Sequence, residues 1–232
     1  MVVTGVGSRL RRLWGNAWGA GLDSAYATGR ELHHALHPGN PDAYATGHLA
    51  PVILIPGVYE TWEFLQPLAE RLHELGHPIH VVPGFGYNRD SIPAMALLVA
   101  RYLEVNELTG VVIVAHSKGG LIGKQLLVTD EVGERIDQVV AVNTPFAGSS
   151  LARYTRQPAL QEFMPSGAAL SALAKQSDAN SRIVSIYSAN DPLIPGGSAL
   201  VGATNVRLPL IGHFRVLSSP LLLRAVENAV GH

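Results

Sequence analysis

Six short apolar runs punctuate the chain, at 51–56, 79–83, 111–115, 138–142, 183–188 and 204–210. Most are continuous rather than alternating, the pattern of strands buried on both faces of a parallel sheet. Helical periodicity fills the intervals at 62–75, 92–108, 118–129 and 220–230. Ser91-Ile92-Pro93 and Ser218-Ser219-Pro220 read as helix starts, with proline in the first turn, where an N–H has no partner anyway. The alternation predicts an α/β fold: a mostly parallel sheet, helices on both faces, right-handed crossovers. Residues 146–181 break the rhythm, being too many for a simple crossover. Phe146, Leu151, Tyr154, Leu160, Phe163, Met164, Leu170 and Leu173 are scattered through them, and Pro158 and Pro165 punctuate them. That interval predicts a cap of short helices over one end of the sheet. The expected organisation is one domain over 46–232 with a cap insertion at 146–181. A helical extension over 1–45 is expected to pack on it.

The most informative segment is Val111-Val112-Ile113-Val114-Ala115-His116-Ser117-Lys118-Gly119-Gly120. A β-branched run stops at a small residue, a serine follows, and a helical pattern (Leu121, Ile122, Leu126, Leu127) begins at once. Strand, sharp turn and helix in that order put the Ser117 hydroxyl at the tip of a nucleophile elbow. The usual pattern is Gly-x-Ser-x-Gly, and Ala115 stands in the first position. Alanine is the smallest side chain that still lets helix and strand approach.

A serine hydroxyl needs a base within hydrogen-bond reach, usually a histidine oriented by a carboxylate. Downstream of Ser117 the histidines are His213 and the terminal His232. His213 follows the run 204–210, where open α/β sheets build their sites, at the carboxyl ends of strands. Asp191 follows the run 183–188, whereas Asp137 precedes its strand and Glu162 and Asp178 lie in the cap interval. Ser117, Asp191, His213 is the chain order of an α/β-hydrolase triad. The oxyanion of an acyl-transfer intermediate needs backbone N–H donors. Lys118, next after the nucleophile, should supply one. The loop Pro56-Gly57-Val58-Tyr59 should supply the other, from Val58 first and Tyr59 next. Tyr59, His116 and Phe146 are the expected substrate contacts.

From about residue 50 onward the chain resembles an α/β-hydrolase of the lipase and esterase type. Ala115-His116-Ser117-Lys118-Gly119-Gly120 is similar to their elbow. Asn143-Thr144-Pro145-Phe146-Ala147-Gly148-Ser149 resembles the Thr-Pro…Gly-Ser turn after the next strand. Asp191-Pro192-Leu193-Ile194-Pro195 and Gly212-His213 resemble their acid and histidine loops. The chain departs from the family at Pro56-Gly57, where lipases usually carry His-Gly. The resemblance implies hydrolysis of a carboxylic ester through an acyl-enzyme, with a small-molecule ester or lipid as partner and no cofactor. Thioester hydrolysis or acyl transfer would use the same acyl-enzyme. A binding protein that keeps the fold without the chemistry is the remote alternative.

Composition narrows the field further. A net charge of -1 gives no reason to expect nucleic acid as partner. With no cysteine there is no disulfide or thiolate chemistry. No run reaches the length of a membrane span, no secretory signal is seen, and a cytoplasmic location is expected. Val6, Leu10, Leu13, Trp14 and Ala17 recur at helical spacing, which reads as a helix packed on the domain. The alternative is weak contact with a lipid surface through Trp14, Trp18 and the nearby arginines. His33, His34 and His37 are expected on a polar helix face. His73-Glu74-Leu75-Gly76-His77 matches the zinc-peptidase pattern, but Gly76 and Pro78 should end the helix before both histidines can share a face. No metal site is expected there.

Overall fold

The computed structural model describes residues 21, 23–30, 32, 34, 39–129, 132 and 134–231. Six parallel strands form one sheet: β1 (Val52–Ile55), β2 (Ile79–Val81), β3 (Val111–His116), β4 (Ile136–Val142), β5 (Ile183–Asn190) and β6 (Thr204–Ile211). Their order across the sheet is β2-β1-β3-β4-β5-β6. The predicted 62–75 helix divides into a 3₁₀ turn, Trp62–Leu65, and α1, Gln66–Glu74, with Pro67 in the first turn of α1. The other long helices are α2 (Ile92–Val105), α3 (Lys118–Leu127) and α6 (Pro220–Val230). Ser91 caps α2 by accepting from the Ala94 N–H, and Ser219 caps α6 by accepting from Leu221. The cap interval holds α4 (Pro158–Gln161) and α5 (Ala168–Ala174) among 3₁₀ turns.

Strand residues alternate between two cores because successive side chains point to opposite faces. Ile53, Ile55, Ile113, Ala115, Val139 and Ala141 pack with Met95, Val99 and Leu103 of α2 and Leu121 and Ile122 of α3. Val52, Leu54, Val112, Val114, Val140 and Val142 pack with Leu68 and Leu72 of α1 and Leu222 and Val226 of α6. Both faces are therefore covered, which explains the continuous apolar runs. The edge strand β6 instead alternates exposed and partly buried positions. Arg71 and Glu227 tie α1 to α6 through contacts of 2.9–3.0 Å.

The chain leaves β1 toward β2 on one side and returns to β3 on the other. Strand order thus reverses at β1, and the crevice beyond the carboxyl ends of β1 and β3 is where such sheets hold ligands. Among the described residues no helix is long and apolar enough to cross a membrane. The amphipathic stripe of residues 2–20, with Trp14 and Trp18, lies outside the described residues, as do His33 and His37. His34 is described and corrects the expected polar face: it is buried, its ring 5.8 Å from that of Phe64. The helix after His73 ends at Glu74, and Gly76 has φ +105°. His73 stacks edge-on to Tyr44, while His77 is buried with Nδ1 2.8 Å from the Ala50 carbonyl.

Candidate active site

Ser117 sits between β3 and α3 with φ 51° and ψ -118°. This left-handed conformation is costly for a residue with a Cβ and persists only where the surroundings enforce it. The enforcement is visible. The Ser117 N–H donates to the Val142 carbonyl at 2.9 Å. A Cβ on Gly119 would lie 2.2 Å from the Ile55 carbonyl oxygen, and one on Gly120 2.0 Å from Thr144 Oγ1. Ala115, by contrast, packs its methyl into the α2–α3 core. Small residues are thus required on the helical side of the elbow, and the strand side has room for alanine.

The structure brings Ser117, His213 and Asp191 into one hydrogen-bonded row. His213 Nε2 lies 3.0 Å from Ser117 Oγ, and His213 Nδ1 lies 2.7 Å from Asp191 Oδ2. The carboxylate faces Nδ1, which assigns the proton there and leaves Nε2 free to accept. Asp191 Oδ1 accepts from the N–H groups of Leu193 and Ile194 at 2.8 and 3.2 Å, so both carboxylate oxygens are engaged. Burial alone would lower the basicity of His213. The charge and hydrogen bond of Asp191, with the charges of Glu60 and Asp23, outweigh it and hold His213 above the ordinary imidazole value of 6.5.

The loop after β1 is clamped from two sides. The Tyr59 N–H donates to the Tyr87 carbonyl at 2.7 Å, which removes Tyr59 as an oxyanion donor. Asn88 Nδ2 donates to the Pro56 carbonyl at 2.7 Å. Val58 lines the cavity beside Ser117. Lys118 begins α3, where the first N–H groups of a helix lack intrahelical partners. Its side chain is wholly buried and runs the other way, donating to the Asp90 carbonyl and lying 3.0 Å from Glu162 Oε2 in the cap. Burial pulls the Lys118 ammonium below its ordinary pKa, and Glu162 opposes that.

Two of the expected substrate contacts are corrected. His116 does not face the cavity; it is fully buried behind the row. Strand alternation explains this, since Ala115 and His116 point to opposite faces. His116 Nδ1 lies 2.7 Å from Glu60 Oε1, and its Nε2 lies 3.0 Å from the His213 carbonyl. Both ring nitrogens of His116 therefore face oxygens, and the ring is held at both ends. Phe146 packs into the α2–α3 core instead of the cavity. Tyr59 does line the cavity.

Sequence reasoning passed over four residues that hold the site. Glu60, buried at 1% exposure, joins His116 to the loop after β1, because its Oε2 accepts the Gly57 N–H at 2.8 Å. Its spacing from Gly57, three residues, is the signal that could have pointed to it. Asn143 (φ 46°) donates to the Gly212 and His213 carbonyls and accepts from the Ser188 N–H, tying three strand ends together. Asn88 is described above, and Asp23 is taken up below. Of the five non-glycine residues with positive φ among the described residues, Tyr59, Asn88, Ser117 and Asn143 surround the site.

The cavity over Ser117 has a volume of about 330 Å³. The cap contributes Leu151, Ala152, Leu160 and Phe163 to its wall, with Leu193, Ile194 and Phe214 opposite. Leu170 and Leu173 of the cap are core instead. Ser149 Oγ donates to the Leu193 carbonyl at 2.7 Å, joining the base of the cap to the acid loop.

By sequence, no protein-family model and no curated protein matches the chain. By structure, similar proteins are plentiful. The mature lipase BlEst2 of Bacillus licheniformis aligns over 84% of this chain and 100% of its own at 15% identity, TM-score 0.62. An N-formylmaleamic acid deformylase from Pseudomonas putida aligns over 79% and 94% at 16% identity, TM-score 0.55. A carboxylesterase structure from Nitrososphaera gargenis aligns over 76% and 88% at 14% identity, TM-score 0.52. The chain has the α/β-hydrolase fold.

Proposed function

We propose that this α/β-hydrolase-fold chain is a serine hydrolase that cleaves carboxylic esters of the esterase or lipase type. The observation that carries the reading is the Ser117–His213–Asp191 row, 3.0 and 2.7 Å between partners, opening into a mainly apolar cavity. In the proposed cycle Ser117 Oγ bonds to the acyl carbon as its proton passes to His213 Nε2. The carbonyl oxygen takes the electron pair and is held by the Val58 and Lys118 N–H groups. Collapse expels the alkoxide, which takes the proton from His213. Water then repeats the sequence on the acyl-enzyme, releasing the acid and restoring Ser117. Asp191 keeps the imidazole in the required tautomer and stabilises its cation. These residues complete the cycle by themselves.

The apolar wall supports an acyl chain as the group bound, at the small end of ligand pocket sizes. The N. gargenis carboxylesterase and the BlEst2 lipase act on bonds of this class, which supports the ester reading over the amide bond of the deformylase. The test is Ser117→Ala assayed on p-nitrophenyl esters from acetate to palmitate, alongside fluorophosphonate labelling. Hydrolysis and labelling should both vanish. Wild-type turnover by Ser117→Ala would overturn the mechanism.

A further inference from the structure

We propose that Asp23 is a positioning residue for His213, so that helical residues 23–30 complete the active site; the inference rests on the serine hydrolase reading above. Asp23 stands 190 positions before the loop it serves and is buried at 3% exposure. Its Oδ2 accepts the His213 N–H at 2.8 Å. Its Oδ1 accepts the N–H groups of Phe214 and Arg215 at 2.9 and 3.0 Å. One carboxylate thus takes three consecutive backbone N–H groups, beginning with that of the candidate base itself. Charge-assisted bonds to backbone N–H are stronger than neutral ones, and buried N–H groups left unpartnered are costly.

On the N–H side of the loop the preceding Gly212 N–H donates to the Asn190 carbonyl at 3.0 Å, and Asp23 takes the next three. Gly212 turns the loop with φ +126°, and a Cβ there would lie 2.9 Å from Asp23 Oδ1. The carbonyl side of the same loop is held by Asn143 and His116. Asp23 supplies the N–H side, and the His213 backbone is clamped between the two.

The remaining contacts of the helical segment point the same way. Ala27 lines the cavity. Arg30 Nη2 donates to the Glu63 carbonyl at 2.6 Å, and His34 packs on Phe64. Positions 23, 27 and 30 share one helix face, by the i, i+4, i+7 rule. That face is laid along the site, with Asp23 on the base loop, Ala27 over the cavity and Arg30 on the segment after β1.

The charged groups facing His213 are Asp191, Glu60 and Asp23, and the His116 ring stands 4.7 Å away. The Asp23 charge helps to hold the imidazolium, which separates positioning from mere stability in an assay. Full-length Asp23→Asn, assayed on p-nitrophenyl butyrate, should lose kcat by about 100-fold, the cost of a misplaced catalytic group, with KM little changed. The acid limb of its pH profile should move to lower pH. Asp23→Glu keeps the charge but is one methylene too long for the 2.8–3.0 Å fit. It should lose kcat with the acid limb in place. Wild-type kcat in either variant overturns the inference, as does an Asp23→Asn protein that loses activity with its acid limb unmoved. If wild-type hydrolysis survives Ser117→Ala, the catalytic reading falls and this inference with it. If hydrolysis needs Ser117 and ignores Asp23, this inference alone falls.

Discussion

Glu60 offers the sharpest quantitative test, because two substitutions that both remove its charge should behave differently. The carboxylate accepts the Gly57 N–H at 2.8 Å and meets His116 Nδ1 at 2.7 Å, at 1% exposure. Glu60→Ala removes both partners. The Gly57 N–H and His116 Nδ1 would each cost about 1–3 kcal/mol if left dry. Because Glu60 also lines the cavity, water can reach the gap, and the low end applies. The expected loss is about 2 kcal/mol, or roughly 4–8 °C in melting temperature for a chain of this length. The larger effect is on turnover. Freeing Gly57 displaces the adjacent Val58 N–H, and loss of one oxyanion donor costs on the order of 100-fold in kcat. Glu60→Gln should be mild. Its amide oxygen can accept the Gly57 N–H while its NH₂ donates to Nδ1 of a neutral His116, whose Nε2–H still reaches the His213 carbonyl. Stability should then stay within about 1 kcal/mol of wild type. Thermal melts and steady-state kinetics on a p-nitrophenyl ester measure both quantities. Equal damage from Gln and Ala would refute the hydrogen-bond assignment, and a fully active Glu60→Ala would refute the role itself.

Two further outcomes are expected. The proposed cycle needs neutral His213, and its pKa is raised, so kcat/KM should fall on acidification with a midpoint above the ordinary 6.5. The sign for stability is opposite: the charged His213 contribution is complete below about pH 6.5 and is lost as pH rises through the folded-state value, so melts should show this increment waning as activity appears. A midpoint below that of free imidazole would contradict the placement of the three carboxylates. Gly119→Ala places a Cβ 2.2 Å from the Ile55 carbonyl, where backbone must move. It should cost about 3 kcal/mol, the upper end of overpacking, and abolish fluorophosphonate labelling; normal labelling would show that the elbow is not so tight.

The hydrogen-bonded row of the candidate site was legible because each member sits at a strand end, and strand ends are marked locally by hydrophobic runs and turns. Ser117, Asp191 and His213 could be found that way, and the structure brings them within hydrogen-bond distance. Phe146 and His116 were misread for the opposite reason. Both are adjacent in sequence to site residues, but alternation along β3 sends His116 behind the row, and the turn after β4 drops Phe146 into the core.

The periodicity of the chain by itself determined the layered architecture, since burial on both faces demands continuous apolar strands and amphipathic helices. It also determined the elbow, because only small residues tolerate the approach of α3 to β1 and to Thr144. Which polar residues hold the site was decided by tertiary structure alone. Glu60 meets His116 across 56 positions, Asn143 meets His213 across 70, and Asp23 meets the same loop across 190. A buried carboxylate or amide is stable only against specific partners, and no local pattern records which distant backbone N–H or carbonyl groups folding will bring to it.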